Sequence, residues 1–275
     1  MNYTKYHFTI SPLEPFREIL VAELGLLEFE SFEDTEKGLK AYIQTEVKPA
    51  NLIEEVQILN SPEVSISVEV TDLETKNWNA IWESSFEPIY IGEKCAVRAE
   101  FHPEKPVDYD IVITPKMAFG TGHHATTYMI LKLILEDEFK QLNGLDMGCG
   151  TGVLGILALM KDAHQVDFID IDDWCIDNTE ENLDRNQLTG ICTQGDAQTI
   201  KSNYDFIFAN INRNILLEDM PTYVRHLNQN GNIYFSGFYQ EDLDQIINRA
   251  DELGLTYVKH LLKDDWCAAK FELSS

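Results

Sequence analysis

The stretch Leu145-Asp146-Met147-Gly148-Cys149-Gly150-Thr151-Gly152-Val153-Leu154-Gly155 decides how the rest of this chain is read. Its pattern predicts a strand end, a tight glycine turn, and an apolar helix over Val153–Met160. Glycine at every second position allows positive φ and lets a ligand approach the backbone with no Cβ in the way. The first amides of the following helix lack intrahelical acceptors and are free to face that ligand. A nucleotide-like cofactor is therefore expected at this turn.

Outward from the turn, strand and helix patterns alternate. Strands are expected at 95–101 and 109–113, a helix at 126–136, the strand ending at Met147 and the helix after it. Then come strand 165–172, helix 173–187, strands 191–196 and 204–211, helix 213–227, strand 232–238 and helix 241–253. A closing hairpin over 255–262 and 266–273 turns at Lys263-Asp264-Asp265. This alternation predicts an α/β class with a Rossmann-like, mostly parallel, doubly wound sheet carrying an antiparallel hairpin at one edge.

Toward the N-terminus the pattern is smaller. Strand 6–10 precedes a helix with Ser11 as N-cap, Pro12 at its first position and Gly25 closing it. Strands follow at 28–34 and 39–46 with Gly38 between them, then a helix over 49–59 and an alternating strand at 64–70. The order β-α-β-β-α-β suggests a small ferredoxin-like α+β domain. The organisation expected is a first domain over 1–75, a linker over 76–90 and a main domain over 91–275. Trp78, Trp82 and Phe86 recur every four residues in the linker, as a packed aromatic stripe would.

Composition sets limits on partners. Forty-seven acidic against 21 basic residues give a formal net charge of −26, which repels nucleic acid phosphates and attracts cationic partners. The longest apolar run, Val153–Met160, is far too short to span a bilayer, and the start of the chain lacks the apolar core of a signal peptide. A cytoplasmic monomer with no membrane contact is expected. Cys95, Cys149, Cys175, Cys192 and Cys267 form no C-x-x-C pair and no His-spaced cluster, so packed, reduced thiols and no metal are expected.

Which cofactor the turn holds depends on its neighbours. Gly150-Thr151-Gly152-Val153-Leu154-Gly155 is a literal G-x-G-x-x-G, and Asp170 follows Gly150 by 20 residues, where a ribose-binding acid belongs. That alone suggests NAD and an oxidoreductase. Asp146 argues otherwise: placed ~5 Å from a pyrophosphate, its carboxylate would cost on the order of 1 kcal/mol. Beside a sulfonium and an ammonium it would stabilise instead, as S-adenosylmethionine offers. Glycines that merely turn the chain would leave both acids as coincidences.

Met117 to Thr127 (MAFGTGHHATT) resembles the A-F-G-T-G-x-H-x-T-T signature of the ribosomal protein L11 methyltransferase (PrmA) family. Leu145 to Gly155 resembles that family's D-x-G-C-G-[ST]-G turn. Phe168-Ile169-Asp170-Ile171-Asp172 and Phe208-Ala209-Asn210-Ile211 resemble its strand ends. The matches run in the family's order from Thr114 to Ile211. The resemblance implies a seven-stranded methyltransferase sheet, S-adenosylmethionine as cofactor, and amino groups of ribosomal protein L11 as acceptors, namely lysine side chains and the N-terminal amine. It implies that the domain over 1–75 reads the protein substrate.

It also implies roles. Thr127 would close its loop over the methionine part of the cofactor, Gly148 and Gly150 would bring backbone to it, and Asp170 would take the ribose hydroxyls. Asn210 would sit where cofactor and amine meet, orienting the amine with no dedicated general base. Asp196 would contact adenine, or else simply be a solvated strand-end acid. His124 matches the family's histidine, for which a loop-stabilising role is expected, as for Thr121 and Thr126. The sequence departs from the family pattern at Lys116, at Ala125, and in Asn210-Ile211-Asn212-Arg213-Asn214, where N-I-L is usual. That last run leaves room for a different protein or small-molecule acceptor.

Overall fold

The computed structural model describes residues 3–49, 51–73, 86–114 and 120–274. Trp78 and Trp82 of the expected stripe, and Lys116 to Phe119 of the signature loop, lie outside the described residues. The chain divides into two compact units, Met1–Ile81 and Trp82–Ser275.

The first unit runs β1 (Tyr3–Ser11), α1 (Phe16–Gly25), β2 (Ser31–Thr35), β3 (Gly38–Gln44), α2 (Leu52–Glu55) and β4 (Ser65–Leu73). Its sheet has the order β2-β3-β1-β4 with every pair antiparallel. Alternation along β1 puts Tyr6, Phe8 and Ile10 in a core with Leu20 and Leu24 of α1 and Leu39, Ala41 and Ile43 of β3.

Three expectations are corrected in this unit. Ser11 does not cap α1: it ends β1, paired with Ser65, and the helix begins at Phe16 after two prolines that lack amide donors. The helix expected over 49–59 is a single α-turn followed by a 3-10 turn at Gln57–Asn60. It breaks because Val56 is extended (φ −111°) and fully buried, and because the Ile58 amide donates to Glu23 Oε2 of α1 at 3.1 Å. Gly38 is not in the turn but opens β3 opposite Thr9, where a Cβ would lie 1.9 Å from the Phe8 carbonyl oxygen.

The second unit begins with a three-stranded sheet of β5 (Ile89–Ile91), β6 (Cys95–Arg98) and β7 (Tyr109–Val112). Strand β5, three residues long, escapes the sequence pattern. The main sheet is built from β8 (Asn143–Met147), β9 (Gln165–Asp170), β10 (Ile191–Gln194), β11 (Tyr204–Asn210), β12 (Leu227–Tyr239), β13 (Leu255–Lys263) and β14 (Trp266–Leu273). The helices are α3 (Ala125–Glu136), α4 (Val153–Met160), α5 (Asp173–Arg185), α6 (Arg213–Arg225) and α7 (Leu243–Glu252).

Its strand order is β10-β9-β8-β11-β12-β14-β13. The first five strands pair in parallel, and β14 runs antiparallel between β12 and β13. Successive side chains of β11 feed opposite faces. Phe206 and Phe208 join Leu131 of α3 and Leu157 of α4 in one core, and Ile207 and Ala209 join Leu216 and Met220 of α6 in the other. Phe139, Phe206, Phe208 and Tyr234 form an aromatic run with centroid spacings of 4.8, 5.0 and 5.2 Å. Each such pair contributes about 0.5–1.5 kcal/mol beyond its buried area. The order reverses between β8 and β11, and a crevice forms outside the carboxyl ends of parallel strands at such a point.

Candidate active site

The glycine turn sits at that reversal. Gly148 and Gly150 take φ of +67° and +57°, and a Cβ on Gly148 would lie 2.5 Å from Ile211 Cγ2. The turn is held from outside: Thr179 Oγ1 donates to the Gly150 carbonyl at 3.0 Å and Asn182 Nδ2 to the Thr151 carbonyl at 2.9 Å. Thr151 Oγ1 donates to the Gly120 carbonyl at 2.7 Å, fastening the upstream loop to the turn.

Asp146 does not occupy the place expected of it. Its carboxylate is 1 % exposed and accepts the Gly155 amide at 2.9 Å, beneath the turn, while its neighbours Met147 and Gly148 line the cleft. Burial pushes its pKa up to about 7, against the lowering effect of the Gly155 hydrogen bond and with a smaller upward push from Asp170. The sulfonium argument therefore does not apply through direct contact.

Asp170, at the end of β9, does face the cleft. Its Oδ2 accepts the Gly150 amide at 2.9 Å and its Oδ1 the Asp172 amide at 3.1 Å. A carboxylate has about four lone-pair sites, so it keeps acceptor capacity for two hydroxyls. Asp170, Asp172 and Cys175 bring side-chain donor atoms within 4.8 Å of one another. Burial, followed by the charge of Asp170, lifts the Cys175 thiol to about 12. Four of the five cysteines are buried and all five are unpaired.

Asn210 ends β11. Its Nδ2 donates to Thr127 Oγ1 at 3.1 Å, and its Oδ1 is buried with no hydrogen-bond partner among the described residues. A buried unpaired acceptor costs roughly 1–3 kcal/mol, and this one belongs to a residue that lines the cleft. Thr127 itself is fully buried behind Asn210 and is not among the residues lining the cleft. His124 caps α3, with Nδ1 2.8 Å from Thr126 Oγ1 and 3.4 Å from the Thr126 amide. His123 Nδ1 lies 3.1 Å from Thr121 Oγ1.

One cleft of about 900 Å³ brings together Gly148, Gly150, Asp170 and Asn210 from three strand ends. Asp196 lines it too, its Oδ1 accepting the Gln198 amide at 2.9 Å. Aromatic walls were not foreseen. Trp174, 45 % exposed, rises from the first turn of α5, and Trp266 packs on Tyr239 at 4.2 Å and on His124 at 4.8 Å between centroids. Trp266 reaches the cleft because β14 is antiparallel, so its first residue pairs with Tyr239, the last of β12. The signal available was the hairpin itself, had its first residue been set beside β12.

The unusual 210–214 run is largely absorbed by structure. Asn212 caps α6 by accepting the Ile215 amide at 3.2 Å. Arg213 pairs with Asp242 at 2.5 Å and also donates to Asn214 Oδ1. Ala125 opens α3, buried, without need of a proline.

The profile of the ribosomal protein L11 methyltransferase (PrmA) family matches residues 18–273. The ribosomal protein L11 methyltransferase of Bacteroides thetaiotaomicron is 44 % identical over 278 residues, covering 98 % of this chain and 99 % of that protein. That of Bacteroides fragilis is 43 % identical over 280 residues, covering 99 % of this chain and 100 % of the relative. The crystal structure of ribosomal protein L11 methylase from Lactobacillus delbrueckii subsp. bulgaricus superposes with a TM-score of 0.65 at 27 % identity, covering 69 % of this chain and all of that one. The chain belongs to the ribosomal protein L11 methyltransferase (PrmA) family.

Proposed function

We propose that this protein transfers methyl groups from S-adenosylmethionine to amino groups of ribosomal protein L11, on lysine side chains and at the N-terminal amine. The observation that carries this reading is the buried Oδ1 of Asn210, without a partner among the described residues, on a side chain that lines the same cleft as Gly148, Gly150 and Asp170. The site suits this cofactor: Asp170 has acceptor capacity for ribose hydroxyls, the positive-φ glycines leave room for close approach, and Asp196 stands at the cleft wall for the base. When bound, S-adenosylmethionine supplies an electrophilic methyl group on a sulfonium. The family membership removes the support for the dinucleotide reading of the same glycines.

The remaining chemistry falls to this chain. Methyl transfer is an in-line displacement, so aligning the acceptor amine contributes most of the work. A free lysine amine has a pKa near ~10.4, and a carboxylate beside it would hold the proton on. The Asn210 carboxamide oxygen is neutral: it orients the amine without that penalty, and desolvation in the cleft favours proton loss. Thr127 fixes the carboxamide by accepting from Nδ2. No dedicated base is invoked.

In the same reading, residues 1–75 recognise the protein substrate, 76–90 link, and 91–275 carry the cleft; every residue lining the cleft lies between His124 and Trp266. The protein acts as a cytoplasmic monomer without direct nucleic acid contact, the latter supported by its net charge of −26. That charge also favours steering of a lysine-rich partner. The test is incubation with recombinant L11 and labelled methyl donor. Label on L11 is expected, and its absence with donor binding intact would refute the acceptor. Asp170→Ala should weaken donor binding by about a hundredfold, as loss of two charge-assisted hydrogen bonds implies; unchanged affinity by calorimetry would contradict its role.

A further inference from the structure

The 210–214 run departs from the signature quoted above, and the structure gives each of its residues a separate task. Asn210 is fixed by Thr127. The Ile211 carbonyl oxygen packs against Gly237, where a Cβ would lie 2.1 Å from it. Arg213 turns to Asp242, and Asn214 accepts from Arg213 at 3.2 and 3.1 Å. Only Asn212 is both exposed and lining the cleft with a polar group uncommitted.

Its orientation is determined. The cap on α6 needs an oxygen toward the Ile215 amide, so Oδ1 faces the helix and Nδ2 the other way. Among the described residues Nδ2 donates to nothing. The clamps at Gly237 and Asp242, on either side of Asn212, hold the backbone that carries it. Asn210 and Asn212 are two residues apart, hence within ~7 Å between Cα atoms. A lysine amine stands about 6 Å from its own main chain, so an amine held at Asn210 can set that main chain within reach of Asn212. A leucine at this position would offer neither the cap nor the donor.

We propose that Asn212 is a specificity-determining residue whose Nδ2 donates a hydrogen bond to a peptide carbonyl of the protein substrate, next to the amine aimed by Asn210. This rests on the reading of the cleft as the L11 methylation site and adds the feature that selects a peptide-borne amine. On this reading Asn212 meets the protein substrate and Asp170 the methyl donor, so their effects on the two KM values separate.

Asn212→Ser and Asn212→Asp both retain a capping oxygen and remove Nδ2: aspartate has no donor at all, and the serine hydroxyl, one bond from Cβ instead of two, stops about 1 Å short of where Nδ2 stands. In full-length protein, steady-state kinetics with recombinant L11 should show KM for L11 raised roughly three- to tenfold in Asn212→Ser, the weight of one neutral hydrogen bond. KM for the methyl donor and Tm should stay at wild-type values, which a merely structural role would not allow. Asn212→Asp, presenting oxygen to a carbonyl, should raise KM for L11 at least as far. Unchanged KM for L11 in Asn212→Ser would overturn the proposal. So would a lowered KM in Asn212→Asp, since that residue would then be meeting a cation. Failure of the wild-type protein to methylate L11 would overturn the underlying function as well, and is recognised separately.

Discussion

The Asp146 carboxylate accepts the amide of Gly155, nine residues on, at 2.9 Å, tying the end of β8 to the first turn of α4 from below. Burial raises its pKa from an ordinary 3.8 to about 7. The folded state then keeps a proton that the unfolded chain has lost across that window, so ν_U − ν_N is negative and stability falls as pH rises. The penalty is absent below pH 3.8, grows toward pH 7 and is complete above it. Asn at this position keeps an acceptor for Gly155 and cannot ionise. Asp146→Asn should therefore melt higher than wild type at pH 8, with the gap closing as pH falls toward 4. Parallel Tm–pH curves for the two proteins would show that Asp146 does not titrate in this range.

The same residue marks a limit of what the sequence reveals. The places of Gly148 and Asp170 were legible in the glycine turn and the 20-residue spacing from Gly150, and that of Asn210 only in the family resemblance; the parallel sheet brings all three to one edge. The direction of Asp146 was not, because β8 is buried on both faces and shows no alternation from which to read a side. In the first unit, helix periodicity over 49–59 lost to a tertiary hydrogen bond from Ile58 to Glu23, more than thirty residues away. Trp266 was legible as the start of a strand but not as a cleft wall, since that depends on β14 inserting antiparallel beside β12. Local pattern found the elements; long-range pairing decided what they face.

Two glycines meet Ile211 from different sides, and their substitution should differ in kind. A Cβ on Gly237 would lie 2.1 Å from the Ile211 carbonyl oxygen, which is backbone and cannot rotate away. A Cβ on Gly148 would meet Ile211 Cγ2 at 2.5 Å, a side chain able to turn into the cleft it lines. Both positions have positive φ, which costs an L-residue roughly 1–2 kcal/mol. Gly148→Ala should lower Tm by only a few degrees while markedly weakening donor binding. Gly237→Ala should lower Tm substantially more. Equal Tm losses, or full donor affinity in Gly148→Ala, would contradict this placement of Ile211.

Asn210 bears the most specific expectation. Its Nδ2 is held by Thr127 and its Oδ1 is left unpaired, so the acceptor is aimed before any substrate arrives. Asn210→Ala removes the aim and leaves Thr127 Oγ1 buried without its donor; kcat should fall about a hundredfold, the cost of a misplaced reactant. Asn210→Asp keeps the shape but places a negative charge at the amine. That charge stabilises the ammonium form, so the limb of the kcat–pH profile reporting amine deprotonation should move to higher pH. Asn210→Ala, neutral, should lower the whole profile without moving it. Donor affinity, measured separately by calorimetry, should change far less than kcat in the alanine variant. A profile for Asn210→Asp that is lowered but unshifted would mean that the amine does not meet this side chain.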